Sequence, residues 1–292
     1  MAKRWSRSTW KRIAPGSRRY LKSCWTCFKH LLVFPVLRPG KANRFAQGTL
    51  ALQDELDYSE PLIPLADVWD LFPGIGSTEV AVGRLLPDEG SSVSFREMVV
   101  LCSIVRLERA RTVFEIGTSL GVTAFNLALN LPEDGVLFTL DLPPVGPGQA
   151  SVETAHRVSV SDRRFIFAAR ESRRFLGSTV EPKVKQLYGD SAAFDYGPYL
   201  GRCDIVFVDG AHSLPYVAGD TQAAFQLARP GGLVLWHDYN DGYFWPEVRR
   251  HLLRLARQRR IFRIRGTMLA VTRMPPVPGT APSTPPSAIP ES

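Results

Sequence analysis

The sequence predicts an α/β protein built on a doubly wound sheet, mostly parallel and completed at its C-terminal end by an antiparallel strand pair. Three observations predict it. First, residues 112–129 read TVFEIGTSLGVTAFNLAL. A short apolar run ending on Glu115 meets Gly117 and Gly121, and the apolar spacing then turns helical through Val122, Phe125, Leu127 and Leu129. A change from strand to helix period across a glycine turn begins a doubly wound sheet. Second, later apolar runs stop on a polar residue: 136–140 on Asp141, 203–208 on Asp209 and 233–236 on His237. Third, residues 261–264 and 268–272 read as two strands joined through Arg265, Gly266 and Thr267. Ligands of such sheets sit outside the carboxyl ends of the strands, so these polar ends are the first candidates for a site.

Length and charge set the frame. A chain of 292 residues holds one large domain or two small ones. Its apolar fraction of 45% supports a sizeable core. No run approaches the ~18 apolar residues of a spanning helix. The formal charge of +8 is unevenly placed. Residues 1–53 hold about a dozen Lys and Arg and no acid, Asp54 being the first carboxylate. The remainder is slightly acidic, so the high pI belongs to an arm.

That arm, residues 1–48, has three readings. It is a solvated disordered segment, a membrane-surface segment with Trp5, Trp10, Trp25 and Phe28 at the interface, or an organelle transit peptide. No nucleic-acid reading module accompanies it. Cys24 and Cys27, with His30 nearby, make only half of a four-ligand zinc site. Cys102 and Cys203 lie in apolar segments and read as buried thiols. The lack of a secretory signal favours a reducing, cytoplasmic setting, peripheral at a membrane if the arm binds lipid.

Residues 49–93 carry Pro61, Pro64, Pro73 and Pro87 and read as an irregular lead-in that packs on the domain. Ser94 and Glu97 form a capping-box pattern. The helix they start runs to about Arg109, with Met98, Leu101, Cys102 and Val105 inward. After the glycine turn and its helix, residues 132–135 turn into the strand that ends on Asp141. Residues 142–182 are irregular, with several prolines and glycines and a polar helical stretch carrying His156. Long loops at the ligand end of a sheet are often lids or substrate walls. Residues 185–187 form a strand followed by Gly189, Asp190 and Ser191. A buried strand at 203–208 ends in Asp209, Gly210, Ala211 and His212. A helix from Leu214 to about Ala228 follows. Arg229, Pro230, Gly231 and Gly232 then turn into the strand 233–236, which ends in His237, Asp238, Tyr239 and Asn240. Pro246 begins a helix with a strongly basic far end. Residues 275–292, rich in Pro, Ser and Thr, are expected to be disordered.

The first motif is E-x-G-x-x-x-G, not the G-x-G-x-x-G of a dinucleotide site. It resembles motif I of the class I S-adenosylmethionine-dependent methyltransferases. Asp141, about 20 residues past the turn, stands where α/β nucleotide folds place an acid on ribose hydroxyls. The pattern D-I-V-F-V-D-G-x-H, then R-P-G-G, then a strand ending H-D-Y, resembles the small-molecule O-methyltransferases of that class, of the catechol and the sugar or macrolide types. The resemblance covers about residues 94–272. It implies a Rossmann-like fold over residues 94–274 and a cofactor site of Glu115, Gly117, Thr118, Ser119, Gly121, Asp141, Asp190, Ser191 and Asp209. Asp190 or Ser191 would meet the adenine. It also implies a divalent cation on Asp209 and Asp238, with His237 where the family usually has an oxygen ligand. An imidazole there departs from the oxygen preference of Mg²⁺. His212 falls at the position of the general base.

The expected chemistry is methyl transfer to the hydroxyl of a small molecule or sugar. A sulfonium methyl is already electrophilic, so the protein must align the acceptor oxygen and remove its proton. A histidine of ordinary pKa, ~6.5, can accept it. The other readings are a catalytically silent relative recruited through the arm and a nicotinamide-dependent oxidoreductase. The oligomeric state is not legible.

Overall fold

The computed structural model describes residues 63–86, 93–144, 154–158, 162, 173–240 and 245–276. The basic arm, the Cys24 and Cys27 pair, and the tail from residue 277 lie outside the described residues. Helix α1 is Val68–Leu71 and helix α2 Phe95–Leu107; strand β1 is Leu65–Ala66 and β2 Thr112–Ile116. They are followed by α3 (Val122–Asn130), β3 (Val136–Asp141), β4 (Val184–Tyr188), β5 (Cys203–Val208) and α4 (Leu214–Leu227). The order closes with β6 (Ala228–Trp236), α5 (Pro246–Leu255), β7 (Phe262–Ile264) and β8 (Ala270–Arg273).

The strands form one sheet in the order β1-β7-β8-β6-β5-β2-β3-β4. β2 pairs in parallel with both β3 and β5. The chain therefore builds outward from β2 in one direction and then, from β5, in the other. The crevice at the carboxyl ends of β2 and β5 is the topological switch point where such sheets bind ligands. β8 is antiparallel to both β6 and β7, as expected from the sequence.

Helices cover both faces. Met98, Leu101 and Val105 of α2 and Phe125 and Leu127 of α3 pack with Val113, Leu137, Phe207 and Leu235. Val217, Ala224 and Leu227 of α4 and Val248 and Leu252 of α5 pack on the other face with Phe114, Ile116, Val206 and Trp236. Residues 113 and 114 thus enter opposite cores, as strand alternation requires. The capping box is present: the Ser94 hydroxyl accepts from the Glu97 N–H, and Glu97 Oε2 accepts from the Ser94 N–H.

Two features differ from the expectation. Residues 229–232 do not precede β6 but belong to it, and the pairing with β5 shifts register between Cys203 and Ile205. Gly231 at φ +76° supplies the left-handed residue within that irregular stretch. The lead-in is also more than packing, because β1 adds a parallel edge strand beside β7.

Further along the lead-in, Asn126 and Asn130 of α3 treat the segment as a strand edge. Asn126 accepts from the Gly83 N–H at 2.8 Å and donates to the Gly83 carbonyl at 3.0 Å. Asn130 does the same to Ala81, at 3.0 and 2.7 Å. Residues four apart share a helix face, and alternate residues of an extended segment face one way, so the two amides match the two peptide groups.

Candidate active site

The turn after β2 is shaped by its glycines. Gly117 has φ +102°, and a Cβ there would stand 2.1 Å from the Asp209 carbonyl oxygen. Only glycine lets the ends of β2 and β5 lie this close. Gly121, at φ +70°, starts α3. Ser119, at φ 47°, is a non-glycine residue in the same left-handed region. Its N–H donates to Asp141 Oδ2 at 3.0 Å, and the Leu142 N–H donates to Oδ1 at 2.8 Å. The carboxylate at the end of β3 is thereby fixed against the turn.

A cavity opens at these strand ends. Gly117, Thr118 and Ser119 line it with Asp141, Asp190, Ser191, Asp209 and His212. Eight of the sequence-predicted residues therefore meet in one place. Leu86, Val158, Asp162 and Tyr216 complete much of the wall. Asp190 also works as a clasp: its carboxylate accepts from the Ala192 N–H, the Ala155 N–H and the Tyr216 hydroxyl.

Glu115 and Gly121 are not part of the lining. Glu115 shares its side of β2 with Val113, and it is fully buried beneath the turn. It accepts from the Thr139 hydroxyl at 2.5 Å across the β2–β3 register. Burial pushes its pKa up to about 8, although the Thr139 bond opposes the shift. The resemblance puts Glu115 in the cofactor site, whereas the structure buries it beneath the turn and outside the cavity lining. The residue anchors a polar ladder instead. Thr139 also bonds Thr118, and Gln186 of β4 donates to Thr118 and to the Thr139 carbonyl. Arg173 joins the ladder by donating to Gln186 and pairing with Asp141 at 3.4 Å.

The ends of β5 and β6 carry alternating acids and histidines. His212 Nδ1 lies 2.7 Å from Asp162 Oδ1, and the His212 N–H donates to Asp162 Oδ2 at 3.1 Å. His212 Nε2 lies 2.6 Å from Asp238 Oδ2. The Trp245 ring stacks on the imidazole, 3.8 Å between centroids and 14° from parallel. Burial alone would lower the His212 pKa, but Asp162 and Asp238 outweigh it and raise it to about 10. The expectation of a base with an ordinary pKa does not hold for this arrangement, because both ring nitrogens face carboxylates.

His237 is fully buried. Its Nδ1 stands 3.2 Å from an oxygen of Asp209 and 3.2 Å from one of Asp238, and its Nε2 stands 3.4 Å from Glu97 Oε2. Desolvation opposes its charge, but Asp238 and Asp209 hold its pKa well above the usual value. Among the described residues, the groups that converge at metal-ligand spacing are Asp209, His212 and Asp238, with ligand atoms within 4.8 Å of one another. This set has His212 where the sequence suggested His237, since His237 stands behind the acids against α2. Asp238 sits at φ 59°, a strained backbone of the kind found at functional sites.

Sequence reasoning missed Asp162, Arg173, Tyr216, Trp245 and the site-facing role of Glu97. Asp162 lies 50 residues before its partner, so no local pattern could pair them. Glu97 was read only as a cap, yet one carboxylate serves Ser94, Met268 and His237.

Comparison with known proteins agrees with the resemblance noted above. Residues 114–239 match the profile of a methyltransferase domain family. A Mycolicibacterium vanbaalenii protein provisionally named an O-methyltransferase is 25% identical over 162 residues, 55% of this chain and 58% of the relative. A similarly named protein of a Mycobacterium species is 26% identical over 165 residues, 55% of this chain and 60% of the relative. The chain thus spans less than two thirds of these curated relatives. The crystal structure of the O-methyltransferase TomG from Streptomyces achromogenes, in complex with S-adenosylmethionine, is 21% identical. It aligns over 78% of this chain and 98% of its own, with a TM-score of 0.43.

Proposed function

We propose that this chain, which carries a class I methyltransferase domain, transfers a methyl group from S-adenosylmethionine to a hydroxyl of a small molecule or sugar. The observation that carries the reading is a cavity at the switch point. The glycine turn, Asp141 and Ser191 line it beside Asp209 and His212.

The residues fit such a cofactor. Asp141, held by two backbone N–H groups, is the acid for ribose hydroxyls, and Ser191 is the polar group for the adenine edge. When bound, the cofactor supplies an electrophilic methyl group. The donor set of Asp209, His212 and Asp238 also fits a divalent cation. With one imidazole among two carboxylates, it suits an ion of intermediate softness better than an all-oxygen site would. Such an ion would stabilise a developing alkoxide.

The chain's own residues handle the proton. Without an ion, Asp162 accepts from His212 Nδ1–H and Nε2 is the nitrogen that takes the acceptor's proton; an ion held by His212 would occupy the same Nε2, so the two roles are alternatives. The Asp238 carboxylate keeps a proton on the Nε2 it faces, so His212 serves as the base only after Nε2 has given that proton up. Trp245 fixes the plane of the ring and shields one face from water.

Parallel calorimetry with S-adenosylmethionine and NAD tests the cofactor. A screen of labelled methyl transfer to hydroxylated sugars and phenols, with and without EDTA, tests acceptor and metal. Binding of NAD without S-adenosylmethionine would overturn the reading. Activity indifferent to EDTA would remove the cation alone.

A further inference from the structure

The charge of the folded domain is segregated. Residues 54–244 hold 15 Lys and Arg against 26 Asp and Glu. Residues 245–276 hold nine Arg, no Lys and one acid, Glu247. Much of this basic charge lies on or just after α5, whose apolar side is spent on the core through Val248 and Leu252. Arg250, Arg254, Arg257 and Arg260 are exposed. The first three recur at helical spacing, with Arg257 in the turn that continues the helix.

Their charge is little compensated. Glu247 reaches Arg250 only at 4.0 Å, and among the described residues Arg254, Arg257 and Arg260 have no carboxylate at ion-pair distance. The other charges of the segment are mostly engaged. Arg259 lies over the Phe225 ring, and Arg273 pairs with Glu108. The stripe also has a direction. α5 begins beside Trp245 at the site rim and leads to β7, which runs parallel to β6 because both are antiparallel to β8. The arginines therefore run from the cavity rim towards the amino ends of the strands.

We propose that this arginine stripe docks the domain on an anionic phospholipid surface. A convex row of guanidinium groups can meet a plane of phosphates along its whole length, each binding bidentately. The acidic remainder of the domain is repelled by the same plane, which fixes the orientation. A nucleic acid is less well suited, because Gln258 is the one amide side chain beside the stripe and no element projects to enter a groove. The acid-free arm, with Trp5, Trp10 and Trp25, also has the composition of an interfacial segment. The inference does not depend on the methyl-transfer reading.

The test is co-sedimentation of the full chain with phosphatidylcholine vesicles, with and without phosphatidylserine, at low and high salt. The variant Arg250→Ser/Arg254→Ser/Arg257→Ser should partition roughly 100-fold more weakly, at the usual contribution of each basic residue near a charged surface. A matched variant, Arg96→Ser/Arg109→Ser/Arg202→Ser, removes equal charge from exposed positions outside the stripe and should bind as the parent does. Both variants should keep the parent's thermal midpoint, since each changes only exposed side chains. Equal losses in the two variants would overturn the proposal, as would failure of the parent to bind phosphatidylserine at low salt. Tighter binding of the parent to duplex DNA than to vesicles, lost in the stripe variant, would assign the stripe to nucleic acid instead.

Discussion

Replacing Asn126 by Ala should detach the lead-in from α3 and weaken the cavity wall together. The amide makes two hydrogen bonds to Gly83, at 2.8 and 3.0 Å, and its Nδ2 also donates to the Val122 carbonyl. Asn126 is fully buried. Two lost bonds at ~1 kcal/mol each, plus ~1–3 kcal/mol for peptide groups left without partners, give roughly 3–5 kcal/mol. Asn130→Ala should cost a similar amount through Ala81. The two amides hold one segment, so the double variant should fall short of the sum by ~1 kcal/mol or more. The segment also carries Leu86 to the cavity lining, so S-adenosylhomocysteine should bind more weakly to each variant. Urea unfolding measures the first effect and calorimetry the second. A single-variant loss under ~0.5 kcal/mol, the range of ordinary surface substitutions, would refute the role assigned to these amides. Strict additivity would show that the segment is not held as one unit.

Four further outcomes are expected. Asp141→Ala should weaken S-adenosylmethionine binding by ~1–3 kcal/mol, and calorimetry showing unchanged affinity would remove Asp141 from the site. With an acceptor from the screen, His212→Ala should lower turnover by roughly 10²–10⁴-fold. Asp162→Asn should lower it by ~10–100-fold, and the double variant should be little worse than His212→Ala; independent, multiplicative losses would separate the two residues. Gly117→Ala should yield little folded protein, because the added carbon meets backbone at 2.1 Å, and a parent-like thermal midpoint would contradict the close approach. Asp220 is buried, and burial, helped by the nearby Asp190 and opposed by the Ser191 hydroxyl, pushes its pKa up to about 7. A carboxyl whose folded pKa is raised loses stability as pH climbs from its unfolded value towards 7, because the unfolded chain ionises first. Asp220→Asn should therefore stabilise the protein at pH 8 relative to the parent, with the gain shrinking to nothing below about pH 4; a gain independent of pH would exclude this cause.

The sequence by itself determined seven of the eight strands, their direction at the C-terminal end and the sheet edge at which the cavity opens. Apolar runs that stop on a single polar residue are local patterns. In a parallel sheet such stops fall together at one edge, so Asp141, Asp209 and His212 could be grouped before any coordinates. The capping box of Ser94 and Glu97 was legible for the same reason, since three residues decide it.

Only the tertiary structure decided what each polar group faces. Glu115 and Ile116 are neighbours in sequence, yet strand alternation sends one beneath the turn and the other to the cavity side. The resemblance implies a ligand position at His237, next to Asp238, but His237 Nε2 faces Glu97, 140 residues away. The protonation of His212 follows from Asp162 and Asp238, which approach from 50 and 26 residues away. Such pairings cross the sheet or the loops over it, and no periodicity records them. Burial then sets the charge states, because an acid or imidazole keeps its usual pKa only while water, or nothing stronger, is its partner.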